Sequence, residues 1–268
     1  MGDASEPHAH ASHVLGAKNP RIAELRRLIG RRSSRSPEIV IEGPRTVSEA
    51  LAVGQLPSLV IVPESARDHS LLFAMPKTVE VLVTRDNVFE RLAPSVTPQP
   101  MLAILPRPVG ALPAVFGADD VALVLVDVSD PGNVGTLVRA ADAVGARAVV
   151  VIGGADPWGP KAVRSSAGSV LRVPVVQLDS LHDASASLRA GGARMVGTDV
   201  REGEPHDGGT LAGPVAIVLG SEPHGLDRSH AELIDDWVHI DMPGNTESLN
   251  VAMAGTLLAY EARRNPRS

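Results

Sequence analysis

Three short segments of this sequence set glycine and small polar residues directly after an aliphatic run. The first is Asp127-Val-Ser-Asp-Pro-Gly-Asn-Val-Gly135, followed by Arg139. Gly132 and Gly135 would let backbone approach a ligand closely. A helical path from Asn133 to Arg139 would leave the amide and the guanidinium on roughly one face. The second segment is Leu219-Gly-Ser-Glu-Pro-His-Gly225, where Glu222 stands between two glycines. It reads either as a tight loop around a polar ligand or as an ordinary turn. The third is Ile240-Asp-Met-Pro-Gly-Asn-Thr-Glu-Ser-Leu-Asn-Val251. Ser248 there reads as the cap of the helix that follows. Asn250 would then fall inside the first turn, where an amide side chain competes with the backbone, so capping does not account for it.

What the sequence lacks bounds the chemistry further. Gly132-Asn-Val-Gly135 misses the third glycine of a dinucleotide fingerprint, and no glycine loop runs into Gly-Lys-Ser/Thr. Neither a Gly-x-Ser-x-Gly elbow nor a His-Glu-x-x-His pair occurs. The chain has no cysteine, which removes disulfides, thiolate metal sites and a thiol nucleophile together. Three Phe, one Tyr and two Trp are too few for an aromatic platform that stacks splayed bases. No metal site is expected; His8, His10 and His13 read as residues of a flexible tail.

The elements that must hold these segments alternate between strand and helix. Residues 121–126 are six consecutive aliphatic positions, the pattern of a strand buried on both faces. A loop is expected over 127–133, a helix over 134–144 and a strand over 148–152. Then come a helix over 179–190 capped by Asp179, strands over 195–198, 215–219 and 238–240, and a helix over 248–262. Such alternation implies a parallel sheet with ligands at the carboxyl ends of its strands. The first half repeats the alternation on a smaller scale. It has a helix over 20–30, a strand over 39–41, a helix opened by Pro44, strands over 59–62 and 79–83, a helix capped by Thr84, and a strand over 101–105. Pro106, Pro108, Gly110 and Pro113 mark a linker. The expected organisation is a disordered tail over 1–18, a small α/β domain over 19–106, a linker over 107–118 and a larger α/β domain over 119–268.

Net charge is -6 over 268 residues, but it is unevenly spread. Residues 1–110 carry 13 Lys and Arg against 11 Asp and Glu, while residues 111–268 carry 12 against 20. Arg21, Arg26, Arg27, Arg31, Arg32 and Arg35 cluster with only Glu24 opposing them. That cluster suits a phosphate backbone, and it equally suits a solvated helix face. No aliphatic run reaches the roughly 20 residues of a membrane helix, and residues 1–13 have no hydrophobic signal region, so no membrane partner is expected and the cytoplasm is the default location.

The three loop segments, in this order, resemble the SpoU (TrmH) branch of the SPOUT methyltransferases. The matching residues are Asp130-Pro-Gly-Asn-Val-Gly-Thr-Leu-Val-Arg139, Leu219-Gly-Ser-Glu222 with Gly225, and Ser248-Leu-Asn-Val-Ala252. In the first half, Glu42-Gly-Pro-Arg-Thr-Val-Ser-Glu-Ala-Leu51 is similar to the L30e-like RNA-binding domain of rRNA-directed members. Domain order and size resemble the thiostrepton-resistance type of rRNA methyltransferase. The resemblance implies a parallel-sheet domain with a deep trefoil knot, a homodimer, and transfer of a methyl group from S-adenosylmethionine to a ribose 2′-hydroxyl of structured RNA. Ribosomal RNA is favoured over tRNA; a tRNA enzyme and a non-catalytic RNA-binding protein on the same scaffold are the rival readings. This chain departs from the common family pattern at Pro223, where many members have Gly, and at Asp241, where many have Pro.

The resemblance also implies roles. Asn133 and Arg139 would be the central catalytic pair, with Glu222 shaping the pocket and Ser248 and Asn250 orienting it across a subunit boundary. Leu219, Gly220, Gly225, Ile240, Met242, Ser248 and Leu249 would contact S-adenosylmethionine. Arg164 would hold RNA near the reacting centre, and Arg26, Arg27, Arg31, Arg32 and Arg45 would hold it in the first domain. A dimer surface is expected on the final helix, at Val251, Ala254, Leu257 and Leu258.

Overall fold

The computed structural model describes residues 13–30, 36–222 and 224–264. The expectations for residues 1–12, Arg31, Arg32, Arg35 and Pro223 lie outside the described residues. The chain divides into two compact units between Arg107 and Pro108, with Trp158–Pro160 grouped with the first.

The first unit runs β1 (Val14–Leu15), α1 (Pro20–Gly30), β2 (Glu38–Glu42), α2 (Pro44–Ala52), β3 (Leu59–Pro63), α3 (Ser70–Phe73), β4 (Glu80–Thr84), α4 (Asp86–Leu92) and β5 (Leu102–Pro106). Its sheet has the order β1-β4-β3-β5-β2, with β5 antiparallel to both neighbours. On one face, Ile22, Leu25 and Ile29 of α1 join Val88, Phe89 and Leu92 of α4 over Leu59, Ile61, Leu102 and Ile104. Residues 13–18 are not simply tail, as the sequence suggested: Val14 and Leu15 pair in parallel with Val83 and Thr84. Thr84 does not cap α4. It belongs to β4 and is buried, and Arg85 occupies the capping position without a side-chain bond.

The second unit runs β6 (Val121–Val126), α5 (Pro131–Val144), β7 (Ala148–Ile152), α6 (Pro160–Ser165), β8 (Val175–Leu178), α7 (Leu181–Ala190), β9 (Arg194–Thr198), β10 (Glu204–Pro205), β11 (Val215–Leu219), β12 (Asp236–His239) and α8 (Val251–Arg264). All seven strands are parallel, in the order β10-β12-β9-β11-β6-β7-β8. Every residue of β6, β7 and β11 is buried, as a sheet covered on both faces requires. Ala122, Val124, Val126 and Val218 pack against Leu181, Ala184 and Leu188 of α7. The opposite face takes α5 and α8. At Gly255 a Cβ would run into the side chains of Leu137 and Leu219, so bare backbone is what lets α8 lie down on α5 and β11. Leu137 is fully buried there, a burial that contributes about 1.5–3 kcal/mol.

From β6 the chain builds β7 and β8 to one side, then crosses to build β9 to β12 on the other. The β6–β11 pair is therefore the place where the order reverses, and loops leaving adjacent strands there diverge and open a crevice. The loops that follow β6 and β11 carry the first two segments singled out in the sequence. Ser180, not Asp179, caps α7: its hydroxyl oxygen accepts from the Asp183 amide at 3.1 Å.

Candidate active site

The helix that carries the first motif starts earlier than its aliphatic period suggests. Asp130 is the cap of α5, accepting from the amides of Gly132 at 2.6 Å and Asn133 at 3.1 Å, and Pro131 fills the first helical position. An Asp followed by Pro is a start signal in its own right, and it moves Asn133 from a loop into the first turn. The outer oxygen of Asp130 meets Lys161 of α6 at 2.7 Å. That hydrogen bond, together with those from the helix amides, holds the Asp130 carboxyl below its usual range.

Glu222, on the loop after β11, reaches across to this turn. Oε2 accepts from the Ser129 amide at 3.2 Å and the Ser129 hydroxyl at 3.1 Å, and Oε1 accepts from Asn133 Nδ2 at 2.9 Å. Partial burial alone would raise its pKa; the bonds from Asn133 and Ser129 outweigh that and bring it down to about 2. Asn133 Oδ1 in turn accepts from Asn250 Nδ2 at 3.2 Å. Asn250 Oδ1 accepts from the amides of Ala252 at 2.9 Å and Met253 at 3.3 Å.

This string has one polarity. A carboxylate only accepts and helix amides only donate, so both asparagine amides are held in a single orientation. The third motif is thereby corrected: α8 begins at Val251, and Asn250 is its cap rather than a residue within its first turn. Ser248 lies before the helix, where its carbonyl accepts from Thr246 Oγ1 at 3.0 Å.

Arg139 does not share a face with Asn133. At about 100° per residue, six residues turn the helix through one and two-thirds turns, roughly 120° short of alignment. Arg139 is exposed and makes no hydrogen bond or ion pair among the described residues. Arg164 on α6 is also exposed and unpaired among them. α6 lies tight against α5, because a Cβ at Gly135 would fall on the Ala162 carbonyl. Lys161 and Arg164 therefore stand beside the turn that carries Asn133, with Lys161 the residue that sequence reasoning missed. Its only signal was its place three residues before an arginine already singled out.

The loop after β6 is braced from behind. Asp127 adopts a left-handed backbone, φ 53°, rare for a residue with a side chain. Gly153 and Gly154, also left-handed, press against it: a Cβ at Gly153 would strike the Asp127 carboxylate and one at Gly154 the Val128 backbone. The Ala155 amide donates to the Val128 carbonyl at 2.8 Å.

The residues expected at the methyl donor are only partly gathered. A cleft of about 340 Å³ is lined by Ile240 and Met242 together with Val200, Arg201, His239, Asp241 and the 244–247 loop. Its chemistry fits S-adenosylmethionine. Val200, Ile240 and Met242 offer apolar contact for adenine, Arg201 a cation for the amino-acid carboxylate, and Glu247 an acceptor for ribose hydroxyls or the ammonium. Leu219, Gly220, Gly225, Ser248 and Leu249 are not among the lining residues. The Leu219 side chain is spent on packing beneath Gly255, and Gly220 lies so close to Gly225 that a Cβ would collide with its backbone. Leu249 is 37% exposed.

In the first unit, Arg26 and Arg27 are exposed on α1, while Arg21 is tied to Glu24 and Glu80 at 2.7 and 3.0 Å. Arg45 is highly exposed at the start of α2 and pairs with Glu49 at 3.3 Å. On α8, Leu258 is buried within the unit, whereas Leu257 is exposed with Met253 and Tyr260. No helix among the described residues is long and apolar enough to cross a membrane, and none of their His, Asp or Glu clusters is placed to hold a metal ion.

Comparison with known proteins identifies the family. Residues 120–260 match the SpoU rRNA Methylase family, and residues 19–103 match the MRM3-like substrate binding domain. The chain is 31% identical over 255 residues to the 23S rRNA (guanosine(2553)-2′-O)-methyltransferase RlmP of Bacillus subtilis, covering 93% of this chain and 98% of that one. It is 31% identical over 267 residues to a 23S rRNA (uridine(2479)-2′-O)-methyltransferase of Streptomyces viridochromogenes, covering 95% and 93%. Among solved structures, the AdoMet-bound rRNA methyltransferase from Sinorhizobium meliloti superposes with a TM-score of 0.83 at 25% identity, covering 95% of this chain and 99% of that one. With its second unit matched almost end to end and more than nine-tenths of its length shared with these relatives, the chain belongs to the SpoU rRNA methylase family.

Proposed function

We propose that this chain transfers a methyl group from S-adenosylmethionine to a ribose 2′-hydroxyl of 23S ribosomal RNA, working as a homodimer. The observation that carries the reading is the oriented string Glu222–Asn133–Asn250 at the sheet's switch point, with Arg139 farther along α5 exposed and without a partner among the described residues. Two relatives that span both units carry 23S rRNA names, which favours ribosomal RNA over tRNA. A cytoplasmic place of work is part of the same proposal.

S-adenosylmethionine supplies, when bound, a methyl carbon already activated by a cationic sulfur whose departure leaves a neutral thioether. The protein must then add alignment and a destination for the hydroxyl proton. Asn133 is a positioning residue, its oxygen and one N–H both committed within the string. Arg139 grips the phosphate next to the target ribose and stabilises charge developing on the attacking oxygen. A guanidinium does not give up its proton in proteins, so the proton leaves to a phosphate oxygen or water. Lys161 and Arg164 extend the cationic edge along the RNA, and Arg26, Arg27 and Arg45 serve the same end in the substrate-binding unit.

The apolar stripe of Met253, Leu257 and Tyr260, at helical spacing on α8, is the surface a second copy would cover. Ser248 and Leu249, just before that helix, would then approach the partner's crevice. The deep knot belongs to the same proposal. It is supported by the path of the chain, which leaves β12 near one sheet edge yet returns to lay α8 on α5, β6 and β11. The test is labelled methyl transfer to 23S rRNA and to bulk tRNA, followed by mapping of the modified nucleotide. Label confined to one 2′-position of 23S rRNA is expected. Label in tRNA alone would overturn the substrate assignment, and label in neither would overturn the reaction.

A further inference from the structure

The cleft assigned above to the methyl donor has two walls that arrive from different parts of the chain. One is the 199–203 loop after β9, shaped by Asp199, whose Oδ1 accepts from the amides of Arg201 at 2.8 Å and Glu202 at 3.0 Å. The other is the segment 240–247 after β12. His239, the last residue of β12, stands between them with its side chain only 19% exposed. Its Nδ1 lies 3.1 Å from the Gly203 carbonyl on the first wall, and its Nε2 lies 3.1 Å from Asp241 Oδ1 on the second. Gly203 is pressed flat on β12, since a Cβ there would strike the Trp237 carbonyl, and the His239 carbonyl accepts from the His206 amide at 2.9 Å. The imidazole thus has a fixed seat and an acceptor at each nitrogen. Neither bond is needed to hold the strand, whose ladder to β9 runs from Asp236 to Val238.

We infer that His239, anchored by Asp241, is a positioning residue for the methyl donor: its ring clasps the two walls of the cleft and sets the width open to the adenosyl group. The inference rests on the reading of this cleft as the donor site. A neutral imidazole donates through one nitrogen and so bonds one wall; an imidazolium donates through both and bridges the wall that carries Val200 and Arg201 to the one that carries Ile240 and Met242. Losing the ring nitrogens frees both walls, so the donor must order them on binding. That cost falls on S-adenosylmethionine affinity and leaves RNA affinity alone.

The test uses the full chain and its variants H239F, D241A and D241N, with S-adenosylmethionine affinity read by calorimetry and RNA affinity by filter binding. Phe keeps the ring volume without either nitrogen and is expected to weaken S-adenosylmethionine about tenfold, the scale of losing two modest hydrogen bonds. D241A removes one arm from an exposed side chain and should cost about threefold. D241N keeps the acceptor and should restore the wild-type value within about twofold. RNA affinity should stay within about twofold in all three. Donor affinity unmoved in both H239F and D241A would overturn the clasp, as would parallel losses of donor and RNA affinity. Failure of the unaltered chain to bind S-adenosylmethionine would remove the donor-site reading itself, and the clasp with it.

Discussion

Exchanging Asn133 for Asp turns the centre of the oriented string from donor to acceptor without changing its shape. Asn133 Nδ2 lies 2.9 Å from Glu222 Oε1, so N133D sets two carboxylates in contact. At that separation the repulsion is about 1.4 kcal/mol in bulk water and about 6 kcal/mol at an effective dielectric constant of about 20. For groups at a solvent-exposed loop about 2 kcal/mol is appropriate, or roughly 30-fold in kcat/KM. E222Q removes the charge and sets an amide N–H against either Asn133 Nδ2 or the Ser129 amide. Loss of one charge-assisted bond costs about 1.5–2 kcal/mol, roughly 10- to 30-fold. Independent effects would multiply to several hundredfold in the double variant. The string predicts instead that the two changes repair each other. The new amide at position 222 would accept from Ser129 and donate to the new carboxylate at position 133, which would still accept from Asn250. The double variant N133D/E222Q should recover to within about tenfold of the wild type, a coupling of about 2 kcal/mol. Methyl transfer to a 23S rRNA transcript, under saturating S-adenosylmethionine, measures it. A coupling below about 0.5 kcal/mol would refute the idea that hydrogen-bond polarity is what these residues supply.

Asn250 joins helix capping to the string, and N250D separates them: Asp caps as well as Asn, so the melting temperature should hold while turnover falls about tenfold with the lost donor to Asn133. R139K keeps the charge but not the planar fork, and turnover should drop at least about tenfold; near-normal single-turnover rates in R139K would remove Arg139 from the phosphate-gripping role. Acid should weaken the fold through Glu222. Its carboxyl is depressed from 4.5 to about 2 in the folded state, so its stabilising contribution is complete above about pH 4.5 and lost as pH falls toward 2. The full shift corresponds to about 3 kcal/mol, which solvent screening of this exposed group reduces to about 1 kcal/mol. Stability to urea should therefore fall more steeply between about pH 6 and about pH 3 for the wild type than for E222Q.

The sheet of the second unit could be read from the sequence because its central strands are aliphatic at every position, and residues 121–126 and 215–219 match β6 and β11 end to end. The helix of residues 20–30 was equally plain from its apolar spacing. Starts and caps were less legible. Aliphatic period placed the first-motif helix at Val134, while the Asp130-Pro131 signal that governs it is a matter of two residues. Ser248 looked the better cap by residue type, yet Asn250 holds the helix amides, because geometry at the chain's entry decides and not propensity. The motif residues were visible one at a time, but their connection was not. Separations of 89 residues between Asn133 and Glu222 and 117 between Asn133 and Asn250 leave no local trace. The short α6 and the two-residue β1 and β10 fell below the length at which periodicity speaks.

The left-handed Asp127 and the glycine pair Gly153-Gly154 fit each other as a key fits one lock. Neither loop can be exchanged singly. A transplant of residues 127–133 from a distant homologue would meet the wrong contour behind it unless residues 153–155 travelled too. Across descendants of this fold, the two stretches should therefore change in concert or stand still together, even though a whole helix and a strand separate them in the chain.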